Sequence, residues 1–307
     1  MKRLTRRDFG RTVAAATILS ASGHGVRAVP ALPEACVFSK HLQWLSYEEM
    51  GEFAARLGFA GVDLTVRPGG HVLPENVERD LPKAVKAVEA AGLRVPLIAT
   101  AVTTASDDSR RLLATAADLG VRFYRLGYYR YTGAVELDDT LDRARRDLEG
   151  LALLNEELGI RGDYQNHAGE GYLGAAIWDL WYVLRNTPES WLGCQFDLRH
   201  AVVEGGRSWP VDLRRIRPRI HTLAVKNFRW NPDGTVRDCP LDEGVADFPR
   251  FFELLGDFSG PMSLHLEYPL GGADQGAREL SVSPQVVASA MERDLAALTR
   301  WLQSDRL

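Results

Sequence analysis

Short apolar runs, many of them β-branched, alternate along this chain with longer segments in which apolar residues recur at helical spacing. The first pattern is that of buried strands and the second that of helices packed on one face. Strands are predicted near residues 35–39, 61–65, 95–100, 122–127, 161–166, 192–197, 220–226 and 261–267, with helical patterns over 46–57, 76–91, 106–119, 137–158, 174–186, 209–216, 247–255 and 283–304. Ser46 with Glu49 has the form of a capping box, and Ser106-Asp107-Asp108 supplies a second helix start. Eight strand-helix units in one run of this length predict an α/β fold, a single (β/α)8 TIM barrel. No Gly-x-Gly-x-x-Gly turn follows the first strand, so no nucleotide cofactor is expected.

The first 28 residues stand outside that pattern. They carry a basic start, Arg6-Arg7 ahead of a modest apolar run, and Val26-Arg27-Ala28 as a small-residue cleavage site. Residues 1–28 therefore read as a twin-arginine (Tat) signal peptide and residues 29–307 as the barrel domain, in a periplasmic or other extracytoplasmic location. Removing that segment leaves 31 basic against 40 acidic residues, a net charge of −9. Such a surface argues against nucleic acid or anionic membrane as partner. No later stretch has the apolar length of a membrane span, so no stable membrane insertion is expected. Three cysteines, Cys36, Cys194 and Cys239, make neither a disulfide scaffold nor a zinc pattern. Whether the chain forms a homo-oligomer is left open.

In a barrel strand alternate side chains face the interior, and chemistry gathers at the C-terminal strand ends. Period two groups Asp163, Gln165 and His167 on strand five and Gln195 with Asp197 on strand six; on strand seven it groups Thr222, Ala224 and Lys226, and on strand eight Ser263, His265 and Glu267. Four consecutive strands thus end in Gln165, Asp197, Lys226 and Glu267, which closure would bring around one cavity. Arg67 and His71 flank a Pro-Gly-Gly turn after strand two, and Arg125 ends strand four beside "GYYRY". His167, His200, Asn166 and Asn227 complete the candidates.

Four stretches, "YQNHAG", "FDLRHA", "VKNF" and "LHLEYP", together with "CPLDEGVADFPRFFELL", resemble the xylose isomerase-like barrel superfamily, the sugar phosphate isomerase/epimerase group. That resemblance implies a divalent metal (Mn, Mg, Co or Zn) held by carboxylates and a histidine, and two glutamates that move protons next to a sugar carbonyl. Asp197 and Glu267 match the metal-ligand positions, whereas Gln165 stands in place of a glutamate and Ala224 in place of the histidine. The metal set is therefore Gln165, Asp197 and Glu267. The catalytic set is Glu267, His200, Lys226 and His167, with Arg67, His71, Arg125, Asn166 and Asn227 binding substrate. The expected activity is an exported sugar isomerase or epimerase that abstracts a proton next to a carbonyl of a small-molecule sugar. A lyase or hydrolase on oxidised (3-keto) glycosides and a noncatalytic sugar-binding barrel are the alternatives.

Overall fold

The computed structural model describes residues 34–133 and 135–304. The expected signal peptide lies outside them. Eight parallel strands close into a barrel: β1 (Ala35–Phe38), β2 (Gly61–Thr65), β3 (Arg94–Ala99), β4 (Phe123–Arg125), β5 (Arg161–Gln165), β6 (Leu192–Asp197), β7 (Ile220–Val225) and, after an inserted hairpin, β10 (Met262–Leu264), which pairs with both β7 and β1. The predicted (β/α)8 architecture is the one observed.

Helices α1 (Tyr47–Arg56), α2 (Val77–Ala90), α3 (Asp107–Asp118), α4 (Leu137–Leu158) and α5 (Ile177–Leu184) follow the first five strands in turn. Their starts obey local chemistry. Ser46 accepts from the Glu49 amide while the Glu49 carboxylate accepts from the Ser46 amide, and Ser106 accepts from the amide of Ser109.

Two elements depart from the simple repeat. The chain after β6 turns at once into α6 (Leu198–Gly205), capped by Asp197 itself, before α7 (Trp209–Ile216). After β7 an antiparallel hairpin, β8 (Asn227–Trp230) with β9 (Val236–Cys239), precedes α8 (Phe248–Leu255); α9 (Pro284–Ser304) ends the described chain.

Burial follows the alternation along the strands. Val37, Val62, Leu64, Ile98, Tyr124, Tyr164, Phe196, Leu223, Val225 and Leu264 join the large apolar cluster that also contains the helix faces. Their neighbours on the opposite parity make a small second cluster of Cys36, Leu97 and Phe123, and above it a buried polar core. There Ser263 donates to Asp63 at 2.6 Å and Thr222 to Asp163 at 2.7 Å, so strands apart in the sheet are tied through its centre. Buried polar groups are tolerated when paired in this way. All three cysteines are free and buried. Among the described residues no helix is long and apolar enough to cross a membrane.

Candidate active site

The polar core opens at the C-terminal strand ends into a cavity of about 290 Å³. Gln165, Arg125, Lys226, His265 and Glu267 reach it from strands or the residues just after them, and Arg67, His167, Arg199 and His200 from the following loops and first helical turn. Seven of the expected site residues thus converge, joined by His265 and Arg199. Lys40, Phe38, Tyr128 and Asp238 also line the space.

Gln165 is fixed at the floor. Its oxygen accepts from Arg125 Nη1 at 2.9 Å and from the Tyr128 hydroxyl at 2.5 Å, so its nitrogen must point the other way, donating to Asp197 Oδ2 at 2.9 Å. Asp197 Oδ1 accepts the His200 amide as the cap of α6, and Lys226 Nζ stands 3.4 Å from Oδ2. Burial pushes the Asp197 carboxyl up, with the Lys226 ammonium pulling against it.

Glu267 is held by Lys40, whose Nζ donates to Oε2 at 2.8 Å, whereas His265 Nδ1, 3.7 Å from Oε1, makes no hydrogen bond. Burial alone would raise this carboxyl, yet the ammonium groups of Lys226 and Lys40 outweigh it and hold Glu267 well below the usual carboxylate range. Glu267 is therefore an ionised carboxylate that carries no proton of its own near pH 7.

Two of the three cavity histidines, His167 and His200, have opposite tautomers. His167 Nδ1 lies 2.8 Å from the Ala168 carbonyl, which can only accept, so the ring donates there and Nε2 keeps its lone pair. Arg199 Nη1 lies 3.0 Å from His200 Nδ1 and can only donate, so the His200 proton sits on Nε2. That Nε2 is buried with no hydrogen-bond partner, Asp197 Oδ2 being 3.5 Å away. The rings are 4.1 Å apart, with His167 stacked on Tyr172. Burial, then the Lys226 charge, pushes His167 down to about 3 and His200 well below its ordinary value, so both are neutral near pH 7.

Three residues expected to bind substrate are used elsewhere. His71 sits over the loop after β2, with Nε2 3.1 Å from the Leu42 carbonyl, and does not line the cavity. Asn166 takes the opposite parity from Gln165 and clamps β6, its side chain donating to the Asp197 carbonyl and accepting the Asp197 amide. Asn227 donates to the Leu241 and Ala246 carbonyls and accepts from the Phe228 and Ala246 amides, which ties the hairpin to the segment before α8. In each case backbone partners take up the polar groups.

Lys40, Asp238, Arg199 and His265 were missing from the expected set. The period-two pattern of β1, extended past Phe38, reaches Lys40, and the same rule on β10 reaches His265 between Ser263 and Glu267. Asp238 had no such signal. It arrives on the hairpin and pairs with Arg199 at 2.9 Å.

The expected metal set does not fit a divalent cation. Gln165 presents an amide nitrogen, not oxygen, toward Asp197; Ala224 offers no ligand; and the oxygens of Asp197 and Glu267 are taken by donors, including the ammonium groups of Lys226 and Lys40. Among the described residues no group of three or more His, Cys, Asp or Glu side chains is arranged to hold a metal.

Residues 52–282 match the family model of the xylose isomerase-like TIM barrel, and the chain belongs to that family. An L-ribulose 3-epimerase structure is similar at 14% identity, with a TM-score of 0.67 over 90% of this chain and 96% of the other. A probable 3-DHS dehydratase of petrobactin synthesis from Bacillus anthracis matches at 15% identity and a TM-score of 0.63, over 87% of this chain and 99% of its own. A xylose isomerase-like barrel protein from Mycobacterium smegmatis, in complex with magnesium, matches at 14% and 0.63, over 89% and 98%. At such identities the likeness carries the fold. No curated protein matches the chain significantly.

Proposed function

We propose that this chain is an enzyme of the sugar isomerase/epimerase kind, moving a proton between carbons next to a carbonyl of a small polyhydroxylated substrate without a bound metal. The observation that carries this reading is the pairing of His167, with a free Nε2 lone pair, and His200, with an unpartnered Nε2–H, beside the Lys226 ammonium. It supplies a base, a neutral hydrogen-bond donor and a positive charge in one cavity.

The substrate carbonyl oxygen would be held by Lys226 and His200 Nε2–H. His167 Nε2 takes the proton from the adjacent carbon, and the electron pair of that C–H bond forms the carbon–carbon double bond of an enediolate. Lys226 stabilises the negative oxygen, as a metal would in a relative that has one. A proton then passes from the neighbouring hydroxyl to the former carbonyl oxygen, and His167 returns its own proton to the former carbonyl carbon. One base on one side of the cavity suffices for this sequence.

The same geometry supports a second reading, elimination. Because Glu267 is held ionised beside Lys40, it has no proton to return to carbon, and an enediolate that is not reprotonated expels a β-substituent instead. The 1–28 segment adds the proposal that the enzyme is exported to act on its substrate outside the cytoplasm.

The test is incubation of sugars and 3-keto glycosides with the protein in D2O, with products followed by NMR and mass spectrometry. Isomerisation introduces deuterium at unchanged carbon skeleton and formula, whereas elimination releases water or an aglycone. Absence of exchange at every carbon of bound substrates would leave a sugar-binding barrel and defeat the proposal.

A further inference from the structure

The cavity holds more positive charge than its own acids can match. Lys40, Arg67, Arg125, Arg199 and Lys226 line it, against Asp238 and Glu267. Three of these cations have carboxylate partners, Lys40 with Glu267, Arg199 with Asp238 and Lys226 with Asp197 below the floor. Arg67 and Arg125 have none among the described residues. Arg67 lies over the Phe38 ring at 5.5 Å, and Arg125 over the Tyr128 ring at 5.2 Å.

Arg125 is the sharper anomaly. It is only 5% exposed, its Nη1 is bonded to the neutral oxygens of Tyr128 and Gln165, and its buried Nε has no partner at all. A buried guanidinium that no carboxylate meets directly is costly, and two of them beside one cavity are more so, since Asp63 deeper in the barrel acts on them only through space. Burial and then the neighbouring Arg125 charge pull the Arg67 guanidinium below its ordinary value, which fits two like charges held close. A neutral sugar would leave that charge unmatched.

Resting on the reading of this cavity as the substrate site, we propose that the substrate is a sugar acid whose carboxylate is received by Arg67 and Arg125. The planar guanidinium fork suits a carboxylate, which it holds through paired hydrogen bonds. The carbonyl end then lies toward Lys226, His167 and His200. The small size of the cavity, about 290 Å³, fits a single sugar-acid unit in place of a longer chain. The anion also lowers the electrostatic cost of the cationic wall, so part of the binding energy comes from a charge that the folded protein already carries.

The experiment is isothermal titration calorimetry on the full chain with D-glucuronate, D-glucose, malonate and inorganic phosphate, repeated on Arg67→Gln and on Arg125→Lys. Glucuronate or malonate should bind at least about tenfold more tightly than glucose, weaken with added salt, and lose that advantage in Arg67→Gln. Arg67 is partly exposed at the cavity wall, so this variant folds whatever happens to Arg125→Lys. Glucose binding as tightly as the carboxylates, or no carboxylate binding, overturns the proposal. Binding of phosphate alone overturns the carboxylate in favour of a phosphorylated substrate. Solvent exchange in D2O separates this inference from the functional reading: exchange with neutral sugars only defeats the sugar acid, whereas carboxylate binding without exchange in any sugar acid defeats the proton transfer.

Discussion

The carboxamide of Gln165 bridges Arg125 and Asp197, accepting from one at 2.9 Å and donating to the other at 2.9 Å. A glutamate in its place would turn a donor toward Asp197 into a second carboxylate. Two carboxylates that close cannot both ionise, so one keeps a proton with a raised pKa. The new carboxylate would also give Arg125 a counter-charge, so the expected outcome for Gln165→Glu is a net loss of about 1 kcal/mol near neutral pH, the lost hydrogen bond and the repulsion at Asp197 outweighing that gain. The sign follows from the raised pKa: the variant is closest to the parent in acid and falls behind as pH rises. Urea unfolding at acid and mildly alkaline pH measures this, and equal curves for parent and variant would contradict the bridge. With Lys226 still facing Asp197, the variant gains no tight Mn2+ site, and chelator leaves the parent's activity unchanged.

In the proposed reaction Lys226 is the cation that stabilises the enediolate oxygen. Replacing it by methionine keeps the length of the side chain and removes the charge facing Asp197 Oδ2. Turnover, read as deuterium exchange at the substrate carbon, should fall by roughly 100- to 1000-fold, the scale of losing a preorganised group that stabilises a developing oxyanion. Stability should fall too, by about 3 kcal/mol, because Asp197 is left buried without its cation. A variant that folds less stably yet exchanges at the parental rate would remove Lys226 from the chemistry.

Asn227 shows the opposite behaviour. Its carboxamide makes four hydrogen bonds to main-chain groups and contacts the hairpin base, not the cavity. Asn227→Ala leaves those buried partners unmatched, and a loss of about 3 kcal/mol or more is expected. Substrate affinity of the folded fraction should be nearly unchanged. A large rise in KM with intact stability would restore Asn227 as a binding residue.

The contrast between Lys226 and Asn227, neighbours in sequence, defines what the amino-acid sequence alone reveals. Alternation along the strands located Gln165, Asp197, Lys226, His265 and Glu267 on the inner face, because side-chain parity is a local property of extended backbone. Whether an inward or rim residue meets a substrate or a backbone amide is not local. Asn166 and Asn227 have the same amide chemistry as Gln165, and only the approach of β6 and of the segment before α8 commits them to structure. Lys40 was missed for a related reason: its partner Glu267 lies 227 residues away and meets it only through closure between β1 and β10. The early start of α6 hides in plain view, since Asp197 serves at once as strand end, helix cap and partner of Lys226.

Asp63 provides a test of the barrel's polar core that does not involve the cavity wall. Its Oδ2 accepts from Ser263 at 2.6 Å, whose oxygen is in turn 3.1 Å from His265 Nε2, while Oδ1 is buried without a partner. Burial pushes its carboxyl up to about 6, with Ser263 and then the Arg125 charge pulling back. The folded state therefore holds the Asp63 proton more firmly than the unfolded chain does. Its stabilising contribution is complete below the unfolded value near 3.8 and is lost as pH rises through about 6. The shift corresponds to roughly 3 kcal/mol between the acid and neutral limits. Asparagine in this position still accepts from Ser263 but cannot ionise. Asp63→Asn should therefore match the parent at pH 4 within about 1 kcal/mol and exceed it by about 2–3 kcal/mol at pH 7, as measured by chemical denaturation across that range. Parallel stability curves for the two proteins would mean that Asp63 ionises inside the barrel at no cost, and that its unpartnered oxygen is compensated by charge from Arg125.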